Sequence, residues 1–414
     1  MAEKKPNIRF KGFEEEWKDK QLKDVVQYHS TGIRACDASQ NGRYPLYDAN
    51  GEIGKIDSVA KQEPYISIIK DGSGVGRVRM MPSMTNVLGT MGCIAATEDS
   101  DINFIFSHLQ TKDFGKHIIS GAIPHVYFRD YGEDKLSTPF LPEQRKIGEF
   151  FKQLDELIGA KEQELEKLRQ IKLALLDKMF PSDNQENING GGKSLIYKML
   201  QNNSQLVVSS PAPNTPTIRF RGFTEPWVKY PISHRVTYGK GRGYSKASLQ
   251  QSGTPILLYG TLYTDYNTYI TEVNRYSAKK DWAVMSKGNE VVVPASGETA
   301  EDIARASAIL KAGIILGGDL NIIYPDDNLD ASFLALELTY GNSHRKLVKK
   351  AQGISVVHLH NTDISELEIN VPSYNEQRKI GDFFRSQDEA IANSQLQINK
   401  LKTIKQACLS QMFA

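Results

Sequence analysis

Two short blocks of this 414-residue sequence occur twice in the same order, and that doubling limits what the chain can fold into. Ile8-Arg9-Phe10-Lys11-Gly12-Phe13 returns as Ile218-Arg219-Phe220-Arg221-Gly222-Phe223, and Trp17 and Trp227 follow the last Phe at the same distance. Further on, EQRKIGEFFK at Glu143–Lys152 returns as EQRKIGDFFR at Glu376–Arg385. The first pair is offset by 210 residues and the second by 233, so the second copy holds 23 more residues between its blocks (233 minus 210). Solenoid units repeat every ~20–50 residues, so a period of this size means duplication of a whole domain-sized unit. Residues 18–141 and 228–374, which lie between the blocks, resemble each other little. Similar frames around dissimilar contents imply two modules doing one task on different targets.

The segments that follow the EQRKIG blocks read as long helices. Stepping alternately four and three residues from Ile147 gives Phe151, Leu154, Ile158, Lys161, Leu165, Leu168, Lys172, Leu175 and Met179, a narrow apolar seam. The same steps from Ile380 give Phe384, Gln387, Ile391, Ser394, Ile398, Leu401, Lys405, Cys408 and Met412. At ~1.5 Å per residue each helix would be roughly 55 Å long. Such a helix needs a partner, because its own hydrogen bonds barely stabilise it in water. The other copy supplies one, so an antiparallel coiled coil acting as a stiff spacer is expected; the alternative is that each helix packs on its own domain.

The expected fold class is α/β (α+β), a tandem duplication of a globular domain plus a long helix. The expected boundaries are a domain at 1–141, a helix at 142–180, a linker at 181–216, a second domain at 217–373 and a second helix at 374–414. Tyr65–Ile69, Glu290–Val293 and Ile314–Leu316 read as strands, and Asp101–Leu109 and Phe333–Leu338 as helices. The linker is rich in Asn, Gly, Ser and Pro, with one apolar island at Leu195–Leu200.

Composition removes several function classes. Hydrophobic residues make up 40% and charged residues 24%, ordinary for a soluble globular protein. The formal net charge is only +2, so attraction to nucleic acid would have to come from local patches or from other subunits. No apolar run of about eighteen residues occurs, and the first ten residues lack the apolar core of a secretion signal. Cys36, Cys93 and Cys408 are scattered and odd in number, which fits neither a disulfide framework nor a zinc site and suits a reducing cytoplasm.

Catalytic motifs are equally scarce. Gly190-Gly191-Gly192-Lys193-Ser194 resembles the end of a phosphate loop, but Asn187 stands where that loop needs glycine and no strand precedes it. His358 and His360 lack further ligands in a familiar spacing and read as structural. Ser286 and Ser296-Gly297-Glu298 have no nucleophile-elbow context. Methyltransferase, nuclease and helicase signatures are missing. The chain is therefore expected to be no catalyst, with neither metal nor cofactor of its own.

Basic clusters that carry aromatic or titratable rings are the candidates for nucleic-acid contact. Lys240-Gly241-Arg242-Gly243-Tyr244-Ser245-Lys246 combines backbone freedom, cations and a ring, and His344 to Lys350 includes Arg345 and Lys346. In the first copy, Lys116-His117 and His125 to Arg129 play the comparable part. The loop Asp71-Gly72-Ser73-Gly74-Val75-Gly76-Arg77, with Arg79 beyond it, could bring Ser73, backbone amides and guanidinium groups against a phosphate or a base edge. A plain turn with solvated arginines explains the same residues.

The order of IRF-K/R-GF with Trp, a variable region, and EQRKIG with a long helix, all repeated, resembles the specificity (S) subunits of type I restriction-modification systems. The resemblance covers nearly the whole chain. It implies that the variable regions are target recognition domains, each reading one half of a split site in double-stranded DNA. It also implies that the paired helices set the gap between half-sites and help bind two methyltransferase (modification) subunits, which restriction subunits then join. S-adenosylmethionine, ATP and magnesium would belong to those other subunits, not to this chain. Gln144, Arg145, Ile147, Phe150 and Phe151, with Gln377, Arg378, Ile380, Phe383 and Phe384, match the family's frame and are implied to lie at helix starts or at the subunit interface. The linker between Pro181 and Thr217 is longer than the family pattern. A protein-binding coiled-coil scaffold, an enzyme with an unfamiliar site and a methylation-only complex remain open readings.

Overall fold

In the computed structural model, residues 6–58, 61–181, 204–209, 214–353 and 356–413 are described. The glycine-lysine-serine run at 190–194 and the apolar island at 195–200 lie outside them. Contacts group the chain into two compact units, one of Met1–Gln163 with Gln395–Ala414, the other of Glu164–Ser394.

The first unit is built on a four-stranded antiparallel sheet in the order Val26–Ser30, Met91–Ala96, Tyr65–Ile69, Val78–Met81. All five residues of Tyr65–Ile69 are buried, which is why that strand carries apolar side chains on both faces, interrupted only by Ser67. A smaller sheet orders Glu52–Ile56, Tyr44–Tyr47 and Asn86–Val87. The second unit repeats the plan with Val236–Lys240, Leu320–Pro325, Glu290–Pro294 and Ser307–Ile309 in the same spatial order. It adds the edge strand Tyr269–Ile270. Its smaller sheet gains Met285–Lys287, and where the first unit has the short turn Gly115–His117 it has a helix, Asn342–Lys350. Contents that look unrelated in sequence therefore share one topology.

Each unit has a helix set against its main sheet, Ile102–Leu109 in the first and Ala331–Tyr340 in the second. Both start on an aspartate cap: the Asp101 and Asp330 carboxylates accept from the amides of Phe104 and Phe333, each at 2.9 Å. The expected linker is not all loop, because Leu206–Val208 pairs antiparallel with Ile218–Phe220.

The repeated blocks meet in space. Arg9 Nε and Nη2 donate to the two carboxylate oxygens of Glu143, each at 2.7 Å, and Arg219 does the same to Glu376 at 2.6 and 2.7 Å. Phe10 packs edge-on against Phe150, and Phe220 against Phe383, with centroids 5.8 and 5.5 Å apart. Gln144 accepts from the Asp101 amide at 3.0 Å and donates to the Pro139 carbonyl at 2.9 Å. Gln377 repeats this on Asp330 and Pro372, at 2.9 and 3.0 Å. Ile147, Phe151, Ile380 and Phe384 are buried, whereas Arg145 and Arg378 face solvent. The two blocks recur together because each is the other's hydrogen-bonding and packing partner.

Both long helices run for 39 residues, Leu141–Met179 and Tyr374–Met412. None of the twenty seam positions is exposed: each is buried or half-buried. In the first unit the opening of the central helix lies beside the closing turns of the C-terminal helix. There Phe151 stacks with Phe413, Lys405 bonds Asp155 at 2.6 and 2.8 Å, and Lys402 meets Glu162 at 2.7 Å. The second unit holds the reverse combination, in which Lys172 pairs with Asp388 and Leu175 and Met179 share a core with Ile380 and Phe384. The helices are antiparallel.

Lys172 and Lys405 break the apolar seam at equivalent places, and their aspartates are also equivalent, each lysine being about one-seventh exposed. Polar pairs at seam positions oppose other registers, since a shift leaves an ammonium facing apolar side chains. Asp155→Lys is expected to cost ~1–2 kcal/mol, and adding Lys405→Asp to restore most of it. Urea titration of single and double variants would read this; a double variant no better than the single would refute the register role.

Candidate nucleic-acid interface

The glycine-rich loop after Tyr65–Ile69 closes on itself through Gly76 N donating to Ile69 O at 2.8 Å. Gly72, Gly74 and Gly76 all have positive φ, a backbone that side chains with a Cβ rarely adopt. Ser73 and Arg77 are exposed and Arg79 half-buried. Both guanidinium groups donate to the Ala49 carbonyl, clamping the loop to the Tyr44–Ile56 hairpin. His125 lies alongside: it forms a bridge with Asp71, and Gly72 N donates to Pro124 O at 2.8 Å. Its ring meets that of Tyr127 at 4.9 Å, and the Arg129 guanidinium sits 4.7 Å from the centroid of the Tyr127 ring. Two clusters separate in sequence thus form one surface of the first unit.

Lys116 and His117 belong to a different network, in which both bond the Asp134 carboxylate, at 2.8 and 3.1 Å. Burial works against ionisation of Asp134, but these two hydrogen bonds outweigh it and hold the carboxyl below its usual range. Cations already matched by a carboxylate have less to offer a phosphate.

In the second unit, Lys240, Arg242 and Lys246 are exposed on the loop after Val236–Lys240. Tyr244 does not present its ring as the sequence suggested. It is buried, and its hydroxyl donates to Ala278 O at 3.1 Å while accepting from Lys280 N at 3.0 Å. The ring presented instead is Trp282, in the exposed run 278–282, whose only signal in the sequence is its Lys-Lys-Asp-Trp composition. The loop in the equivalent place of the first unit is 31–37, where Arg34 is exposed and bonds Asp37 at 2.8 Å through its amide. Arg345 is exposed on the helix Asn342–Lys350, whereas Lys346 shares Glu368 with Lys229 and Lys350 pairs with Glu366.

His358 and His360 are exposed, with parallel rings 6.4 Å apart. Among the described residues no group of three His, Cys, Asp or Glu is placed to hold a metal, and no helix is long and apolar enough to cross a membrane. Cys36, Cys93 and Cys408 are free thiols.

Comparison with known proteins gives one concordant family. The model of the type I restriction modification DNA specificity domain matches twice, at residues 14–170 and 224–403. The specificity subunit of the type I restriction enzyme MjaVIII from Methanocaldococcus jannaschii is 25% identical over 187 residues, covering 40% of this chain and 42% of that protein. The match therefore spans less than half the length of that curated relative. The crystal structure of a type I restriction-modification S subunit from M. genitalium superposes with a TM-score of 0.66 at 14% identity, over 99% of each chain, a likeness of fold.

Proposed function

The chain belongs to the type I restriction-modification DNA specificity family, matched by both halves, and from that premise we propose that it chooses the DNA sequence on which a larger complex acts. Each globular domain reads one half of a bipartite site in duplex DNA. The two reading domains in this proposal are 1–141 and 217–373. The chain itself performs no chemistry; adenine methylation, and cleavage where restriction subunits join, belong to partner subunits. The observation that supports this best is the contrast between frame and contents. The Arg–Glu clasp, the glutamine clamp and the helix seam are the same in both units, whereas the loops they carry differ residue by residue at topologically equivalent places. Selection for one architecture and two specificities produces that pattern; a scaffold that only binds proteins gives no reason for the contents to diverge.

Base edges are distinguishable in the major groove, and phosphate contacts fix register there. In the first domain Ser73, Arg77, Arg79, Arg34 and His125 are assigned to this surface, and in the second Lys240, Arg242 and Lys246. The helix pair sets the spacing of the half-sites, and the exposed Arg145 and Arg378 beside the repeated frame are offered to the two methyltransferase subunits.

Removing one heptad from each helix, Lys161–Lys167 and Ser394–Lys400, shortens the pair by roughly 10 Å while keeping both seams in phase. Co-expressed with its methyltransferase subunit, the shortened chain is expected to direct methylation to the same two half-sites with a spacer about two to three base pairs shorter. Methylome sequencing reads the outcome directly. An unchanged spacer refutes the ruler, and the absence of any two-part methylated motif with the intact chain refutes the specificity role.

A further inference from the structure

Two segments of the second unit, 240–248 and 278–282, are stitched together. Besides the two hydrogen bonds on the Tyr244 hydroxyl, Ser277 Oγ donates to Ser248 O at 2.7 Å. The joined segments carry Lys240, Arg242, Lys246, Lys279 and Lys280 against the single acid Asp281. None of these five cations makes an ion pair among the described residues, unlike Lys116, Lys346 and Lys350 elsewhere. Concentrated, uncompensated positive charge of this kind is matched by a polyanion.

At the centre of this patch stands an exposed apolar surface. Trp282 is 42% exposed, while the other two tryptophans, Trp17 and Trp227, are core residues at 7% and 2%. The indole is nonetheless held in place. It lies against the Tyr244 ring at 5.0 Å, the Lys280 ammonium sits 5.1 Å from its centroid, and its six-membered edge crosses Gly243. A Cβ on Gly243 would come 2.7 Å from Trp282 Cη2, and Gly243 has φ +59°, so the backbone is shaped to admit the ring. A rigid, exposed aromatic surface ringed by free cations is what single-strand binders and groove-wedging proteins use against nucleobases.

We propose that Trp282 is a DNA-contacting residue of the second recognition domain, stacking its indole on a base at the half-site while Lys279, Lys280, Arg242 and Lys246 engage the flanking phosphates. This rests on the DNA-specificity reading above and adds to it the residue and the mode of contact. Stacking on a base partly opens one step of the duplex, and the surrounding cations offset that cost through phosphate contacts.

The full-length chain allows a direct test, because a quencher in solution reaches Trp282 and hardly touches the two buried indoles. Fluorescein-labelled genomic DNA fragments are titrated into the chain at low salt, with anisotropy reporting binding and acrylamide reporting indole access in the same samples. On DNA-bound chain the quenching slope should fall at least two-fold. Trp282→Ala should weaken binding about ten-fold and Trp282→Phe less than three-fold, as expected for loss and retention of a stacking ring. Gly243→Ala, which displaces the indole without changing charge, should follow Trp282→Ala. Lys280→Gln should lower the salt slope by about one. Unchanged quencher access on DNA-bound chain, or equal binding by the Ala and Phe variants, overturns the stacking role and leaves the specificity reading standing. Failure of the intact chain to bind DNA overturns both.

Discussion

Glu376→Ala should cost the second unit ~3–5 kcal/mol, among the largest single-site losses open to this chain. Arg219 and Glu376 are almost wholly buried, joined by two parallel bonds, and Arg219 Nη2 also holds the Glu225 carbonyl at 2.5 Å. Deleting the carboxylate leaves a guanidinium that cannot give up its proton in a buried site. Arg219→Ala is the milder change, since an orphaned carboxyl can take up a proton. Replacing both partners by Met should recover much of the loss, because the pair's own desolvation cost disappears with it. In the first unit Arg9 is more exposed than Arg219, and Trp17 Nε1 gives Glu143 another donor at 3.3 Å. Arg9→Ala should therefore cost less, about 2 kcal/mol. Hydrogen exchange along Ala331–Tyr340, read against urea, would localise the effect, which matters because a two-unit chain need not unfold in one step. A loss below 1 kcal/mol for Glu376→Ala would show that the clasp does not hold the frame.

That clasp marks how far the sequence could be read. The duplication and the seam were legible because they are periodic: an offset or a heptad survives any ignorance of the surroundings. The strands Tyr65–Ile69 and Glu290–Pro294 were legible because burial on both faces leaves runs that are apolar but for Ser67 and Glu290. The pairing of Arg9 with Glu143 was not, because a contact between residues 134 apart has no local signature. The site residues were harder still. Composition located the cations, but whether a cation is free depends on the carboxylate that folding brings to it. Lys116 and His117 met Asp134, while Lys240 and Arg242 met none among the described residues. Tyr244 and Trp282 are the clearest case. Sequence proximity to Lys240 and Arg242 favoured the tyrosine, yet the fold buries it and sets a tryptophan from a distant loop on the surface it was expected to occupy.

The glycine shared by both EQRKIG blocks supports the second large effect. Gly148 lies one turn beyond Gln144 and faces the cap of Ile102–Leu109. A Cβ there would fall 2.2 Å from Asp101 Oδ1 and 2.7 Å from Phe104 N, the two atoms of the capping hydrogen bond. Gly148→Ala must break that cap or push the long helix off its seat. The cap is worth ~1 kcal/mol and overpacking costs ~1–3 kcal/mol, against a helix-propensity gain of at most ~1 kcal/mol. The net loss should be ~2–3 kcal/mol. Gly381 occupies the equivalent place, but its Cβ would meet Ser332 Cβ at 2.8 Å and Asp330 Oδ1 only at 3.2 Å. A side-chain carbon yields more readily than a capped backbone, so Gly381→Ala should cost about 1 kcal/mol, and Ser332→Gly should relieve part of it. The asymmetry separates a steric account from one based on helix propensity, which predicts that both alanines stabilise by similar amounts. Hydrogen exchange at the amides of Phe104 and Phe333 decides between them, through selective loss of protection at Phe104 in Gly148→Ala. Equal protection in the two variants would mean that the glycine is not there to let the long helix approach the capped start of Ile102–Leu109.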